Sequence, residues 1–338
     1  MRHGTDASRR DLVLKEQGCF IVPAIADGRS GHLFVEYMVP ASPEAKVPVV
    51  MLHGGSQSGC CYRATPDGRA GWQEHFVRAG HPVYVVDLPG SGRAANQPFE
   101  MPLRHLPAAS IEQLYTRSAA SCMWPASAGH DQWPGEGVRG DAAFEQFLLT
   151  QYGSLIEKTP ALAMHVACCA ALLKKIGRCV VLAHSLGATA MWPLAQRCPE
   201  LLAALIAVEP NGPPFSDIAP VGDGTTVSRD WGISYVPLQF DPPIESPLRL
   251  LEIWNQKSVT PHRLVAMQSV PVLVVTGSAS YHAAYDAQTV EFLRRFGAKV
   301  EHMELGAHGL SGNGHMLMLE SNSDEIAALI ASWLRNAA

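Results

Sequence analysis

The sequence predicts an α/β fold over residues 1–338: a single domain with a mostly parallel central sheet, flanking helices and two cap insertions. Three observations carry this. Short, almost wholly apolar runs recur along the chain, helical patterns separate them, and two connections are too long to be simple crossovers. Near-continuous apolar runs suit strands buried on both faces, as in a parallel sheet. Their alternation with helices implies βαβ units with helices on both sides.

In chain order, Cys19–Pro23 and Leu33–Met38 are expected to form an antiparallel hairpin at the sheet edge. Val47–His53 is the first buried strand, followed by a helix over Ala70–Ala79 and a second strand at Val83–Asp87. A helix over Ala161–Ile176 closes on Gly177 and leads into the strand Cys179–Ala183 and the helix Ala188–Arg197. Ala203–Val208 and Val270–Val275 are further buried strands. Tyr285–Phe296 is a helix closed by Gly297, Val300–Leu305 a weaker alternating strand, and Asp324–Arg335 the last helix. Glycine just past a helix supplies a left-handed cap.

The two long connections, about 93–160 and 210–269, exceed the ~12–15 residues usual for a loop in a compact domain. They carry Tyr115, Trp124, Trp133, Trp231, Tyr235, Phe240 and Trp254. Disordered inserts are poor in aromatics, so both are read as ordered caps. No internal repeat or low-complexity tract interrupts the pattern.

Composition sets the outer limits. The chain is 47% hydrophobic and 17% charged, with 26 Lys plus Arg against 31 Asp plus Glu and a net charge of −5. That is a globular balance without a basic run, so nucleic acid is not an expected partner. MRHGTDASRR is followed by DLVLKEQG rather than an apolar core, and no apolar stretch is read as reaching the ~18 residues of a membrane span. The expectation is a cytoplasmic protein with no membrane partner, a small-molecule substrate, and a homodimer left open. Eight cysteines show no CxxC spacing, which argues against a metal site. They are read as reduced thiols, including the adjacent Cys60 and Cys61.

The chemistry concentrates where a buried strand runs into Ser185 and a helix follows at once: Val180-Val-Leu-Ala-His-Ser-Leu-Gly-Ala188. This is a small-x-Ser-x-Gly variant of the nucleophile elbow, with Ala183 and Gly187 as the small flanking residues the tight turn needs. It aims the Leu186 N–H at a substrate oxyanion. His53-Gly54-Gly55 ends an earlier strand, and Gly55 offers a second N–H with no Cβ in the way. His53 is expected to brace that turn. Asp87-Leu-Pro-Gly-Ser-Gly-Arg93 lacks the Lys-Ser/Thr of a phosphate loop and reads as structural.

A serine nucleophile needs a base, and the base an orienting carboxylate. After the last strand, Gly306–Met318 holds His308 and His315 on a glycine-rich stretch; His315, just before an apolar run, is favoured as the base. The carboxylate has two candidates. Asp286 lies beyond the strand ending at Thr276, whereas Glu209 stands at the end of Ala203–Val208, the sheet edge where such folds build their sites. Glu209 is favoured.

With these residues in place the chain resembles an α/β-hydrolase, and more narrowly a group of bacterial serine carboxylesterases whose acid is a Glu after the sixth strand. The matching stretches are His53-Gly54, the TPDGR-x-GW run from Thr65 to Trp72, Asp87–Arg93, the elbow at Ser185, Val208–Pro210 and the His-Met at His315. The resemblance covers the core from about residue 45 onward and implies Ser185, Glu209 and His315 as nucleophile, acid and base. It departs at Gly55-Ser56, where one member of that group carries two adjacent cysteines directly after His-Gly.

The expected function is cofactor-independent, metal-free hydrolysis of a carboxylic ester or lactone, with Gly55 and Leu186 as the oxyanion hole. Hydrolysis of a C–C bond by the same residues and non-catalytic ligand binding are the competing readings. Trp124, Trp133, Trp231, Tyr235, Phe240, Trp254 and Met316 are expected to wall the site and favour hydrophobic substrates.

Overall fold

The computed structural model describes residues 11–41, 46–95, 103–218 and 220–337. Residues 1–10, the opening MRHGTDASRR, and 96–102 of the first cap insertion lie outside the described residues. Eight strands make the central sheet: β1 (Leu14–Ala26), β2 (Arg29–Pro40), β3 (Val49–Leu52), β4 (Val83–Asp87), β5 (Cys179–His184), β6 (Leu202–Val208), β7 (Val272–Thr276) and β8 (Val300–Glu304). Their order is β1-β2-β4-β3-β5-β6-β7-β8. β1 and β2 pair with each other, and β2 with β4, in antiparallel fashion. From β4 across to β8 every pairing is parallel. The hairpin is longer than its apolar runs suggest. Its β1 alternates exposed and covered positions, so polar residues belong to the strand as fully as apolar ones.

The longer helices are α1 (Trp72–Arg78), α2 (Ala142–Leu149), α3 (Lys158–Ile176), α4 (Leu186–Arg197), α5 (Pro247–Asn255), α6 (Asp286–Arg295) and α7 (Ser323–Ala337). Successive strand residues point to opposite faces, and the two faces build two cores. Val50, Leu52, Val181, Ala183, Leu205 and Val274 join α3, α4 and α6 on one side. Val49, Met51, Val180, Leu182, Ile206 and Val275 join α1 and α7 on the other. All eight cysteines stand free.

One sequence expectation needs correcting: α3, at 19 residues, is long and apolar enough to cross a membrane. Its Met164, Cys168, Cys169, Leu172 and Leu173 are buried in the sheet-facing core, which accounts for that apolarity. Short elements fill the long connections. Leu103–Arg104 pairs with Ser154–Leu155, and Phe240–Asp241 with Arg263–Leu264.

The aromatic wall also needs correcting. Trp133 packs edge-on against Phe147 of α2, and Phe240 against Phe296. Trp254 leans on Phe292, and Trp231 packs against the same core. Trp124 hydrogen-bonds through its indole N–H to the Ala279 carbonyl and sits edge-on to Tyr281. These five are packing residues, because large aromatics from a cap bury most area when driven between it and the sheet.

Candidate active site

β5 is buried throughout and ends at His184. The chain then turns so sharply that Ser185 takes φ 50° and ψ −121°, a strained conformation for a residue with a side chain, costing roughly 1–3 kcal/mol. Three backbone bonds hold it there. The Ser185 N–H donates to the Val208 carbonyl, and the Ser185 carbonyl accepts from the Ala188 and Asn211 N–H groups. Leu186 opens α4, so its N–H has no intrahelical acceptor. Gly187 is required by contact: a Cβ there would lie 2.4 Å from the His53 carbonyl oxygen.

His315 brings the site together. Its Nε2 is 3.2 Å from Ser185 Oγ, and its Nδ1 is 2.7 Å from Glu209 Oε2. Both distances are hydrogen bonds, the second in the charge-assisted range. With Nδ1–H donating to the carboxylate, Nε2 is left as an acceptor facing the serine hydroxyl. Glu209 is fully buried, with φ 47°. Its Oε1 accepts the Gly277 N–H at 2.7 Å, and its Oε2 also accepts the Ser280 hydroxyl at 2.6 Å.

The imidazole lies among other rings. His282 stacks on it at 4.7 Å and 8°, and Tyr281 is 4.9 Å away. Tyr115 stacks at 5.5 Å, and His184 is 4.5 Å away and hydrogen-bonds the His315 carbonyl oxygen through Nε2. Burial, then the neighbouring His184 and His282, hold the His315 imidazole well below its ordinary value. It is therefore neutral at pH 7, the state in which Nε2 can take a proton. Burial pushes the Glu209 carboxyl up, while His282 and the Ser280 and Gly277 donors pull it back toward the ionised form that accepts from His315.

The two rejected alternatives have other surroundings. Asp286 accepts from Thr276 at 2.8 Å and pairs with His282 Nδ1 at 3.0 Å. His308 is exposed at the end of a short helix over Leu305–His308. His53 does brace its turn: Nδ1 lies 2.8 Å from the Gly54 carbonyl oxygen, and Nε2 accepts the Leu88 N–H. The Asp87 loop is a brace as well. Its carboxylate accepts from the Gly59 N–H and from the Arg93 backbone and guanidinium.

Ser185, His315, Gly55 and Leu186 line one cavity of about 380 Å³, together with Tyr235 and Met316 of the expected wall. Gly55 faces Leu186 so closely that a Cβ would meet that side chain at 3.3 Å. A smaller apolar pocket of about 40 Å³ adjoins it behind Gly55 and Leu186, walled by Leu88, Leu155, Ala161 and Leu162. Sequence reasoning missed Tyr115, His184, Tyr281 and His282. His184 touches Ser185 in sequence and could have been questioned; the others carry no local signature. Glu209, His282 and His315 also present ligand atoms within 4.8 Å of one another. Those nitrogens are already engaged, His315 with Glu209 and His282 with Asp286 and Tyr285, so no metal role is assigned.

Known proteins share this architecture. The sequence profile of the alpha/beta hydrolase family matches residues 49–329. The probable secreted lipase phiG of Fungal sp. (strain ATCC 74256) is 33% identical over 315 residues, covering 90% of this chain and 85% of the lipase. Among solved structures, a novel bacterial esterase superposes with a TM-score of 0.64 at 22% identity, over 97% of this chain and 98% of the esterase. Esterase Est22 gives a TM-score of 0.50 at 13% identity, over 95% and 80% of the two chains. The superposition on the bacterial esterase, at 97% of this chain, takes in the β1–β2 hairpin that the profile leaves out. The profile and the 33% identical relative decide the family, and the strand order agrees with it. The chain belongs to the α/β-hydrolase family and is a hydrolase similar in sequence to a probable lipase.

Proposed function

We propose that this hydrolase cleaves a carboxylic ester or lactone through an acyl-enzyme, with Ser185 as nucleophile, His315 as base and Glu209 as the orienting acid. The observation that carries the reading is the unbroken hydrogen-bonded line from Ser185 Oγ through both nitrogens of His315 to Glu209. It ends at a serine whose strained turn presents Oγ to a cavity. The lipase and esterase relatives support the same class.

In this mechanism Ser185 Oγ attacks the carbonyl carbon while His315 Nε2 takes the hydroxyl proton. The oxyanion lies against the Gly55 and Leu186 N–H groups, each such donor contributing roughly 3–4 kcal/mol to the transition state in comparable sites. The tetrahedral species collapses, and His315 returns its proton to the departing alkoxide. Water, deprotonated by His315, attacks the acyl carbon and releases the acid. Glu209 holds the imidazole in one tautomer and stabilises the imidazolium formed in each half.

The test is a short-chain chromogenic ester assay on wild type and Ser185→Ala, paired with labelling by a fluorophosphonate probe. We expect turnover and labelling in the wild type and neither in the variant. Equal activity in both would refute the reading, and an unlabelled wild type without turnover would favour a ligand binder.

A further inference from the structure

We infer that the cavity beside Ser185 selects substrates bearing a carboxylate, held by Lys158 and Arg104. This rests on the ester-hydrolase reading and deepens it. The sequence alone suggested an apolar wall, yet five of its seven candidate residues lie in the packed cores instead. What the folded chain brings to the cavity wall includes two cations, Lys158 at the start of α3 and Arg104 from the first cap insertion.

Their pairing state carries the argument. Among the described residues neither forms an ion pair; the Lys158 ammonium donates to the Leu155 carbonyl oxygen at 2.8 Å. One carboxylate shares the wall, Asp217, and it is bound at 2.5 Å by Arg229, a fully buried guanidinium that also donates to the Pro213 and Ser216 carbonyls. Asp217 is thus largely neutralised by Arg229, which meets no other acid among the described residues. Among those residues Lys158 and Arg104 remain as two like charges facing one space.

Burial and the nearby Arg104 both pull the Lys158 ammonium down, with Asp217 opposing them. Arg104 is exposed and Lys158 half-buried, so an anionic ligand would find the first hydrated and the second partly stripped of water, and would favour the charged form of both. Lys158 also lines both chambers, the one holding Ser185 and the apolar pocket behind Gly55. A short carbon chain in the apolar pocket would leave a carboxylate within the range of this lysine. The substrate class is therefore an ester or lactone of modest size carrying a carboxylate on its acyl or alcohol part.

The experiment compares kcat/KM for two matched pairs: p-nitrophenyl hemiglutarate against p-nitrophenyl valerate, and 4-acetoxybenzoate against 4-acetoxybenzamide. In at least one pair the wild type should favour the anion by about tenfold or more, the value of one charge-assisted contact. Lys158→Gln and Arg104→Gln should each lower that ratio, and Lys158→Arg should retain more of it. The ratio is internal to each protein, so partial misfolding cancels. A wild type that hydrolyses the neutral esters as well as the anions overturns this inference while leaving the hydrolase reading intact. So does a preference that survives in the protein carrying both Lys158→Gln and Arg104→Gln. Where no ester turns over but Ser185 is labelled by the fluorophosphonate, protection by glutarate over glutaramide gives the same decision. An unlabelled, inactive wild type instead overturns the hydrolase reading and this inference with it.

Discussion

Two buried acids stand near His315, and they do different work. Glu209 touches the ring, whereas Asp286 reaches it only through the stacked His282. In the proposed mechanism Glu209→Gln removes the acceptor that selects the productive tautomer. We expect kcat to fall by on the order of 10³–10⁴-fold with the fold retained, as mis-set tautomers do in other triads. Asp286→Asn should cost much less, about tenfold or below, because Thr276 and His282 can still bond its side chain. Steady-state kinetics with circular dichroism on both variants decides the matter, and the reverse ranking would reassign the acid.

At the scale of elements, the loop bearing His315 is held by a brace that begins far away in sequence. The Arg69 guanidinium donates to the Ser321 and Glu320 carbonyls, and the Trp72 indole N–H donates to the Ser323 carbonyl. The segment so fixed carries Glu320, fully buried, whose carboxylate accepts from the Gly314 N–H, Asn313 Nδ2 and His130 Nε2. Gly314 immediately precedes His315, so the TPDGR-x-GW stretch supports the base through Glu320. Glu320→Ala should leave those donors buried without an acceptor, destabilising the protein by about 1–3 kcal/mol. Because the loop then loosens, kcat should fall about tenfold or more, a 1 Å displacement being enough for larger losses. Urea unfolding and kinetics measured together test this; a stability loss with unchanged kcat would show that the brace serves folding alone.

The whole molecule responds to pH through a histidine buried next to the nucleophile. His184 has no carboxylate partner among the described residues, and burial lowers it to about 3. Below its ordinary value of 6.5 the unfolded chain takes up a proton that the folded one refuses. Its share of stability is therefore full above 6.5 and declines as the pH drops toward 3, by up to ~1.4 kcal/mol per pH unit. Urea midpoints at pH 4, 5 and 7 should show His184→Asn flattening the acid limb. Parallel profiles for wild type and this variant would contradict the assignment.

The sequence determined what depends on local pattern. Continuous apolar runs such as Cys179–Ala183 and Ala203–Val208 had to be central parallel strands, because only burial on both faces suits them. The small residues flanking Ser185 marked the elbow for the same kind of reason: Gly187 has no room for a side chain. His315 and Glu209 were legible as candidates because chain position places them at the carboxyl edge of the sheet. Tertiary structure alone decided which of the two acids meets His315, since that depends on how the β6 and β7 ends are offset in space. It also decided the fate of the cap aromatics. A tryptophan's size says that it will be buried, but whether against a core or a substrate depends on which element the cap folds onto. The charges on the cavity wall follow the same logic. Lys158, Arg104 and Asp217 lie up to 113 residues apart, and Arg229, which neutralises one of them, lies farther still. Coulomb interactions act through space rather than along the chain, so only the folded molecule shows which charges, among the described residues, meet beside Ser185.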